Sequence, residues 1–271
     1  MKVYISCDME GVAGVPSWEF GSSRKKDYSI GRELMVEEVN AAIKGALEAG
    51  AKLIIVNDSH GNMLNLNPSK LNKAARLLQG EVKPWSMMEG MDRKYDAALF
   101  IGYHAMAGTF FGNMCHTYCG ALTEVKVNGK VWGETELNGA FCGASKTPLV
   151  FVSGDEAITK EIKKFIPNIK TASVKKAYGM RAALSLHPEL AREKIRQGVK
   201  IALLERKKIK PFLPKAPYTL EVKLREPDMA DICTRIPGTK RIGARIIQFK
   251  NRSYIEVYRC LLAIMSLASR V

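Results

Sequence analysis

The alternation of short apolar segments with helical patterns constrains the fold of this chain more than any other feature. Four segments rich in Val, Ile, Leu and Phe are typical of buried strands: residues 2–7, 52–56, 97–102 and 148–152. Amphipathic patterns predict helices over residues 28–49 and 155–165. Strands that alternate with helices indicate an α/β fold with a mostly parallel sheet. We expect a three-layer α/β/α arrangement with a smaller α+β C-terminal part.

The rest of the chain has plainer signals. Asn128-Gly129 between residues 124–127 and 130–132 predicts a β-hairpin. Residues 64–78 are expected to be helical only in part. Further elements are expected in the order helix, helix, strand, strand, helix: residues 135–143, 187–206, 218–224, 241–249 and 254–269. A change in charge places an approximate domain boundary near residue 173, which gives an α/β domain over residues 1–172 and a basic α+β region over residues 173–271.

The net charge of +15 is unevenly distributed. Residues 1–155 carry 16 basic and 17 acidic side chains, whereas residues 156–271 carry 26 and 10, with a peak at residues 206–210. Such an excess can serve nucleic acid, an anionic membrane surface or acidic ligands. No aromatic residues alternate with the cluster as stacking platforms, and no zinc-finger or phosphate-loop motif occurs. The charge therefore favours a solvated surface, and nucleic-acid binding is a remote alternative.

The chain also lacks the marks of an exported or membrane protein. No secretory signal pattern precedes the first strand, and the longest apolar stretch, near residues 260–268, is too short to span a bilayer. The six cysteines form no dense framework for a chain of 271 residues, so reduced thiols are expected. A cytoplasmic location is the resulting expectation.

Ionisable side chains follow three of the predicted strands. Asp8 and Glu10 come directly after the first strand, His60 follows the second, and His104 follows the third. Ligands of an open parallel sheet bind beyond the carboxyl ends of its strands, so these side chains are expected to share one edge. Two of the chain's four histidines occupy such positions.

A metal ion would explain this grouping. Two residues apart in extended chain, Asp8 and Glu10 point to one side, and their repulsion is relieved by a cation. Carboxylate and imidazole together suit zinc, with manganese or iron as alternatives. Each motif also has an ordinary interpretation, because Asp-x-Glu can be a loop or a helix cap and a single histidine is commonly structural. Near Cys115 and Cys119, His116 does not match the spacing of a closed zinc site.

The motifs taken together resemble the zinc-dependent D-aminopeptidases associated with dipeptide transport. The resemblance covers nearly the whole chain and is carried by these segments: Ser6-Cys7-Asp8-Met9-Glu10-Gly11, Val56-Asn57-Asp58-Ser59-His60-Gly61, Val82-Lys83-Pro84-Trp85-Ser86-Met87, Phe100-Ile101-Gly102-Tyr103-His104-Ala105, and Gly133-Glu134 with Leu137-Asn138. It implies two zinc ions per chain, with Asp8 as the bridging ligand and Glu10, His60, His104 and Glu134 completing the ligand set. It also implies that His116 is the catalytic residue, and that the chain forms a ring-shaped homo-oligomer, a decamer.

The expected activity is the hydrolysis of short peptides from their N-terminus by a water molecule that two metal ions activate. A preference for N-terminal D-amino acids rests on the resemblance alone. Asn138 lies one helical turn beyond Glu134 and is expected to contact the peptide substrate. The same ligand set would also serve another two-metal amidohydrolase or a phosphoesterase.

Overall fold

A computed structural model of the chain describes residues 1–92 and 94–271. The larger of its two sheets has seven strands in the order β3-β2-β1-β4-β7-β8-β9. Six of them run parallel, and β9 pairs antiparallel with β8 at the edge. The strands are β1 (Lys2–Cys7), β2 (Leu53–Asp58), β3 (Ala75–Leu78), β4 (Ala97–Tyr103), β7 (Leu149–Asp155), β8 (Lys170–Gly179) and β9 (Ala182–Ser185).

The second sheet is antiparallel and has the order β11-β12-β10-β5-β6. Its strands are β5 (Leu122–Val127), β6 (Lys130–Val131), β10 (Tyr218–Leu224), β11 (Thr239–Gly243) and β12 (Ile246–Asn251). The helices are α1 (Trp18–Gly21), α2 (Tyr28–Glu48), α3 (Glu134–Ala144), α4 (Glu156–Lys163), α5 (Pro188–Leu204), α6 (Pro227–Cys233) and α7 (Tyr254–Ala268). The expected α/β fold with a large, mostly parallel sheet is confirmed.

The direction of the chain reverses between β1 and β4. From β1 it moves through α2 to β2 and then to β3, whereas from β4 it moves the other way, through α3 to β7 and through α4 to β8. Because such crossovers are right-handed, these two paths place α2 on one face of the sheet and α3 and α4 on the other. The crevice that opens at such a reversal, beyond the carboxyl ends of the strands, is where ligands of these sheets bind.

Three local expectations differ from the structure. Residues 64–78 contain no helix and end in the short strand β3, whose residues are held by pairing with β2. Residues 241–249 are divided between β11 and β12, because a turn at Ala244-Arg245 folds them into a hairpin. Residue 173, the expected boundary, lies inside β8 of the large sheet. β5 and β6 precede it in the chain, yet they belong to the second sheet. The sheets therefore do not separate at that position.

Across the part of the chain that the structure describes, no helix combines the length and apolar character that crossing a bilayer requires.

The backbone following β1 lies directly against β4. Gly11 donates its N–H to the carbonyl oxygen of Gly102 at 2.7 Å. A Cβ atom at Gly11 would stand 2.0 Å from the carbonyl oxygen of Tyr103. Only glycine permits this approach, which fixes the loop carrying Asp8 and Glu10 against the end of β4.

Replacing Gly11 by alanine should therefore lower the free energy of unfolding by about 1–3 kcal/mol, because the added methyl group must push two backbone segments apart. Equilibrium unfolding in urea would measure the change. Gly179→Ala is the matched control: apart from its chain neighbours, no atom of the described residues lies within 4 Å of the position a Cβ would take there, so a change of no more than about 0.5 kcal/mol is expected. Equal effects of the two substitutions would contradict the close contact.

Candidate metal centre

The five expected metal ligands lie together beyond the carboxyl ends of β1, β2 and β4. Asp8 and Glu10 follow β1, and His60 follows β2. His104 follows β4, and Glu134 is the first residue of α3. All five are buried, with no more than 6% of any residue exposed. The fold therefore brings together the side chains that the sequence analysis grouped.

Asp8 stands between the two imidazole rings. Its Oδ1 lies 3.1 Å from Nδ1 of His60, and its Oδ2 lies 3.5 Å from Nε2 of His104. Burial raises the pKa of Asp8 well above its usual value, and the negative charge of Glu10 adds to the effect. A carboxylate in this position is unfavourable without positive charge beside it.

The tautomer of His60 is set by the backbone. Its Nε2–H donates to the carbonyl oxygen of Gly21 at 2.6 Å. Nδ1 then faces Oδ1 of Asp8 and, at 2.9 Å, Oε2 of Glu10. A neutral ring in this tautomer directs a lone pair at two carboxylates, and this contact is stable only when a proton or a metal ion lies between them.

His104 repeats this arrangement with the opposite nitrogen. Its Nδ1–H donates to the carbonyl oxygen of Ala105 at 3.0 Å. Nε2 is buried and makes no hydrogen bond with any residue that the structure describes, yet it lies 3.3 Å from Oε1 of Glu134. Burial alone would lower the pKa of His104, but the charge and proximity of Glu134 and the charge of Asp8 raise it well above its usual value. Positive charge is favoured at this nitrogen, and a metal ion fits the same demand.

Glu134 is fixed by a loop on the other side. The backbone N–H of Tyr118 donates to its Oε1 at 2.6 Å. Tyr118 has a positive φ of 61°, so the chain turns there in the left-handed region to aim this N–H at the carboxylate. No pattern in the sequence marks Tyr118 for this role.

His116 completes the group. Its ring stacks on His104 with centroids 4.1 Å apart and meets the ring of Trp18 edge-on at 5.4 Å. Nδ1–H donates to the carbonyl oxygen of Met114 at 3.0 Å, which leaves Nε2 as an acceptor 3.7 Å from Oε1 of Glu134. Burial, with the positive charge of His104 in addition, lowers the pKa of His116. This shift favours the neutral ring, in which the lone pair of Nε2 faces the centre.

Asn138, which was expected to contact the peptide substrate, lies beneath the site. It is fully buried. Its Oδ1 accepts hydrogen bonds from the hydroxyls of Tyr118 and Tyr258, and its Nδ2 donates to that of Tyr103. These bonds use the amide beneath the site, where it supports Tyr118 rather than facing a bound molecule.

Lys175 is a further residue that the sequence did not indicate. It is buried, and its Nζ donates to the carbonyl oxygens of Glu10 and Val15. This one ammonium group therefore holds two points of the loop that carries Glu10. Burial lowers the pKa of Lys175, and the nearby charges of Asp155 and Glu38 only partly oppose this shift.

Two clefts open onto the centre. The first cleft, of about 580 Å³, is walled by residues 81–84 and 259–269 and reaches Asp8, Glu10, His60, His116 and Glu134. The second cleft, of about 460 Å³, lies on the side of Trp18, Arg24 and Tyr28 and reaches Glu10, His60 and His116. Cavities of this size accept a small molecule or a short peptide.

Comparison with known proteins extends these observations to the whole chain. Residues 1–263 match the model of the peptidase family M55, described as D-aminopeptidase. A D-aminopeptidase of Bacillus subtilis (strain 168) is 36% identical over 271 residues, covering 100% of this chain and 98% of the relative. The solved structure described as the Zn-dependent D-aminopeptidase DppA from Bacillus subtilis, a self-compartmentalizing protease, is similar with a TM-score of 0.96 and 35% identity, covering 100% of this chain and 99% of that chain.

These matches, over essentially the full length, agree with the family that the strand-end motifs predicted, and the chain belongs to the D-aminopeptidase family of peptidases.

Proposed function

We propose that this chain is a metal-dependent aminopeptidase that hydrolyses short peptides, as its family membership indicates, with D-amino acids preferred at the N-terminus. The observation that carries the proposal is the orientation of two imidazole rings by their hydrogen bonds. His60 and His104 each give one N–H to a backbone carbonyl and turn the other nitrogen to buried carboxylates. Metal-binding histidines are oriented in this way by their outer hydrogen bonds.

The side chains suggest two ion positions. One group consists of Oδ1 of Asp8, Oε2 of Glu10 and Nδ1 of His60. The other consists of Oδ2 of Asp8, Nε2 of His104 and Oε1 of Glu134. Asp8 contacts both imidazoles, so it would help to hold both ions. Imidazole and carboxylate are zinc ligands, and zinc is the metal named for the solved relative.

Bound zinc would polarise the scissile carbonyl and lower the pKa of water. The protein's own contribution to proton transfer falls to His116. Its free Nε2 accepts the proton that water releases as its oxygen attacks the carbonyl carbon, and the resulting imidazolium returns that proton to the leaving amine nitrogen. The hydrogen bond from Nδ1 to Met114 and the rings of His104 and Trp18 hold Nε2 towards the centre throughout.

His116 could instead attack the carbonyl carbon itself. An acyl-imidazole would form as the amide C–N bond breaks and the amine leaves with a proton from water, and hydrolysis of the acyl-imidazole would then release the amino acid and restore His116. Rapid-quench measurements separate the two roles: a burst of amine product ahead of steady state supports the nucleophile, and a burst-free time course supports the general base.

Self-association belongs to the same proposal. The solved relative is described as a self-compartmentalizing protease. We propose that this chain likewise forms a ring-shaped homo-oligomer, a decamer, in the cytoplasm. Light scattering of the purified protein measures the mass directly.

Metal analysis provides the first test. The purified protein should contain about two zinc ions per chain, because two groups of ligands converge on Asp8. Chelation should abolish hydrolysis of a dipeptide with an N-terminal D-residue, and added zinc should restore it. A panel with matching L-dipeptides and p-nitrophenyl phosphate, assayed on the same sample, measures stereochemical preference and distinguishes a phosphoesterase. A metal-free preparation with full peptidase activity would refute the proposal.

The second test concerns His116. His116→Ala should keep the bound zinc and lower kcat by about 10²–10⁴-fold, since the group that moves the proton is lost. His187→Ala is the matched control, because His187 lies at the exposed start of α5, where it only caps the helix through the N–H of Glu189. Steady-state kinetics with metal analysis of both variants decides the role. Unchanged turnover in His116→Ala would remove it.

A further inference from the structure

One charged side chain of the first cleft has no role in the chemistry described so far. Lys83 lies on the wall formed by residues 81–84 and is half-buried. Its Nζ donates to Oδ1 of Asn57 and to the carbonyl oxygen of Asp58, both at 2.6 Å. Both acceptors are uncharged. Among the residues that the structure describes, no carboxylate forms an ion pair with Lys83.

The position of this ammonium group is fixed from behind. Nδ2 of Asn57 donates to the carbonyl oxygens of Met87 and Ser86, at 2.8 and 3.3 Å, and this turns Oδ1 towards Lys83. The carboxylate of Asp58 is directed elsewhere, since its oxygens accept from Asn65 and Leu66. An ammonium group carries three N–H donors, so one donor remains for a molecule in the cleft.

Lys83 lines the same cleft as the candidate metal ligands, but its Nζ donates to Asn57 and to the backbone of Asp58 and not to those ligands. Burial lowers its pKa to about 8, against the opposing charge of Asp58. The ammonium group is therefore available to a part of the substrate other than the bond that is cut.

The two other basic residues that line the clefts are less suited to this task. Arg259 also lines the first cleft, but Oε1 and Oε2 of Glu256 each lie 2.9 Å from its Nη1, and its guanidinium lies over the ring of Trp85. Arg24 lines the second cleft but is exposed to solvent. A partly buried, preorganised charge binds an anion more strongly than an exposed one.

We propose that Lys83 binds the C-terminal carboxylate of the substrate, so that the enzyme selects short peptides with a free C-terminus. The inference rests on the proposed aminopeptidase function. The carboxylate is the one anionic group that every unmodified short peptide carries. With the scissile carbonyl at the metal centre and the carboxylate at Lys83, the first cleft limits the length of chain beyond the cleaved bond.

The test compares D-alanylglycine with its C-terminal amide, using the zinc-loaded enzyme. The wild-type enzyme should cleave the free acid with a kcat/KM about 10–100-fold above that of the amide, the range for a hydrogen bond to a charged group. Lys83→Met should lose this preference, mainly through a higher KM for the free acid, while retaining its zinc and its activity on the amide. Lys83→Arg should recover part of the preference. Arg259→Met, the control from the same cleft, and Arg24→Met should keep it.

Several results would overturn the assignment. Equal kcat/KM for the two substrates in the wild-type enzyme would do so without any variant. An equal loss on both substrates in zinc-loaded Lys83→Met would make Lys83 a general support of the centre. Loss of the preference in Arg24→Met instead would place the carboxylate in the second cleft. Failure of the wild-type enzyme to cleave either substrate counts against the aminopeptidase function itself, and is therefore distinguishable from failure of this inference.

Discussion

The repulsion among three buried carboxylates is the constraint on which this structure depends. Asp8, Glu10 and Glu134 approach the same two imidazole rings away from bulk water, where like charges are costly. The fold holds them there by separate means. β1 and β4 bring up Asp8 and His104, the close packing at Gly11 fixes the loop, and Lys175 ties the backbone of Glu10. The fold thus holds these carboxylates in an arrangement that favours positive charge at the centre.

Backbone carbonyl groups decide the chemistry of all three histidines. Gly21, Ala105 and Met114 each accept one imidazole N–H, and in every case the opposite nitrogen faces the centre. A main-chain acceptor cannot change its charge or rotate away as a side chain can. The two rings that face carboxylates directly are suited to metal, whereas the pKa of His116 is lowered by burial and by His104, which suits proton transfer.

Much of this arrangement could be predicted from the sequence, and the limits are physical. Parallel strands and the family resemblance predicted the α/β fold and the family, both of which are confirmed. Strand ends indicated Asp8, Glu10, His60 and His104 because topology alone brings them together. His116 lies in the loop between β4 and β5, and Glu134 follows the β5–β6 hairpin of the second sheet. Neither residue lies at the end of a strand of the large sheet. Lys83 and Lys175 bind backbone carbonyl groups, and such contacts cannot be recognised in a pattern of residue types. The burial of Asn138 could not be predicted for the same reason.

The two clefts have a consequence for the order of events in turnover. In a site with a single mouth, a product must depart before the next molecule can approach. Here Glu10, His60 and His116 border both openings. When a peptide occupies the first cleft, the second cleft is a separate opening at the same three side chains, and a small product can reach it.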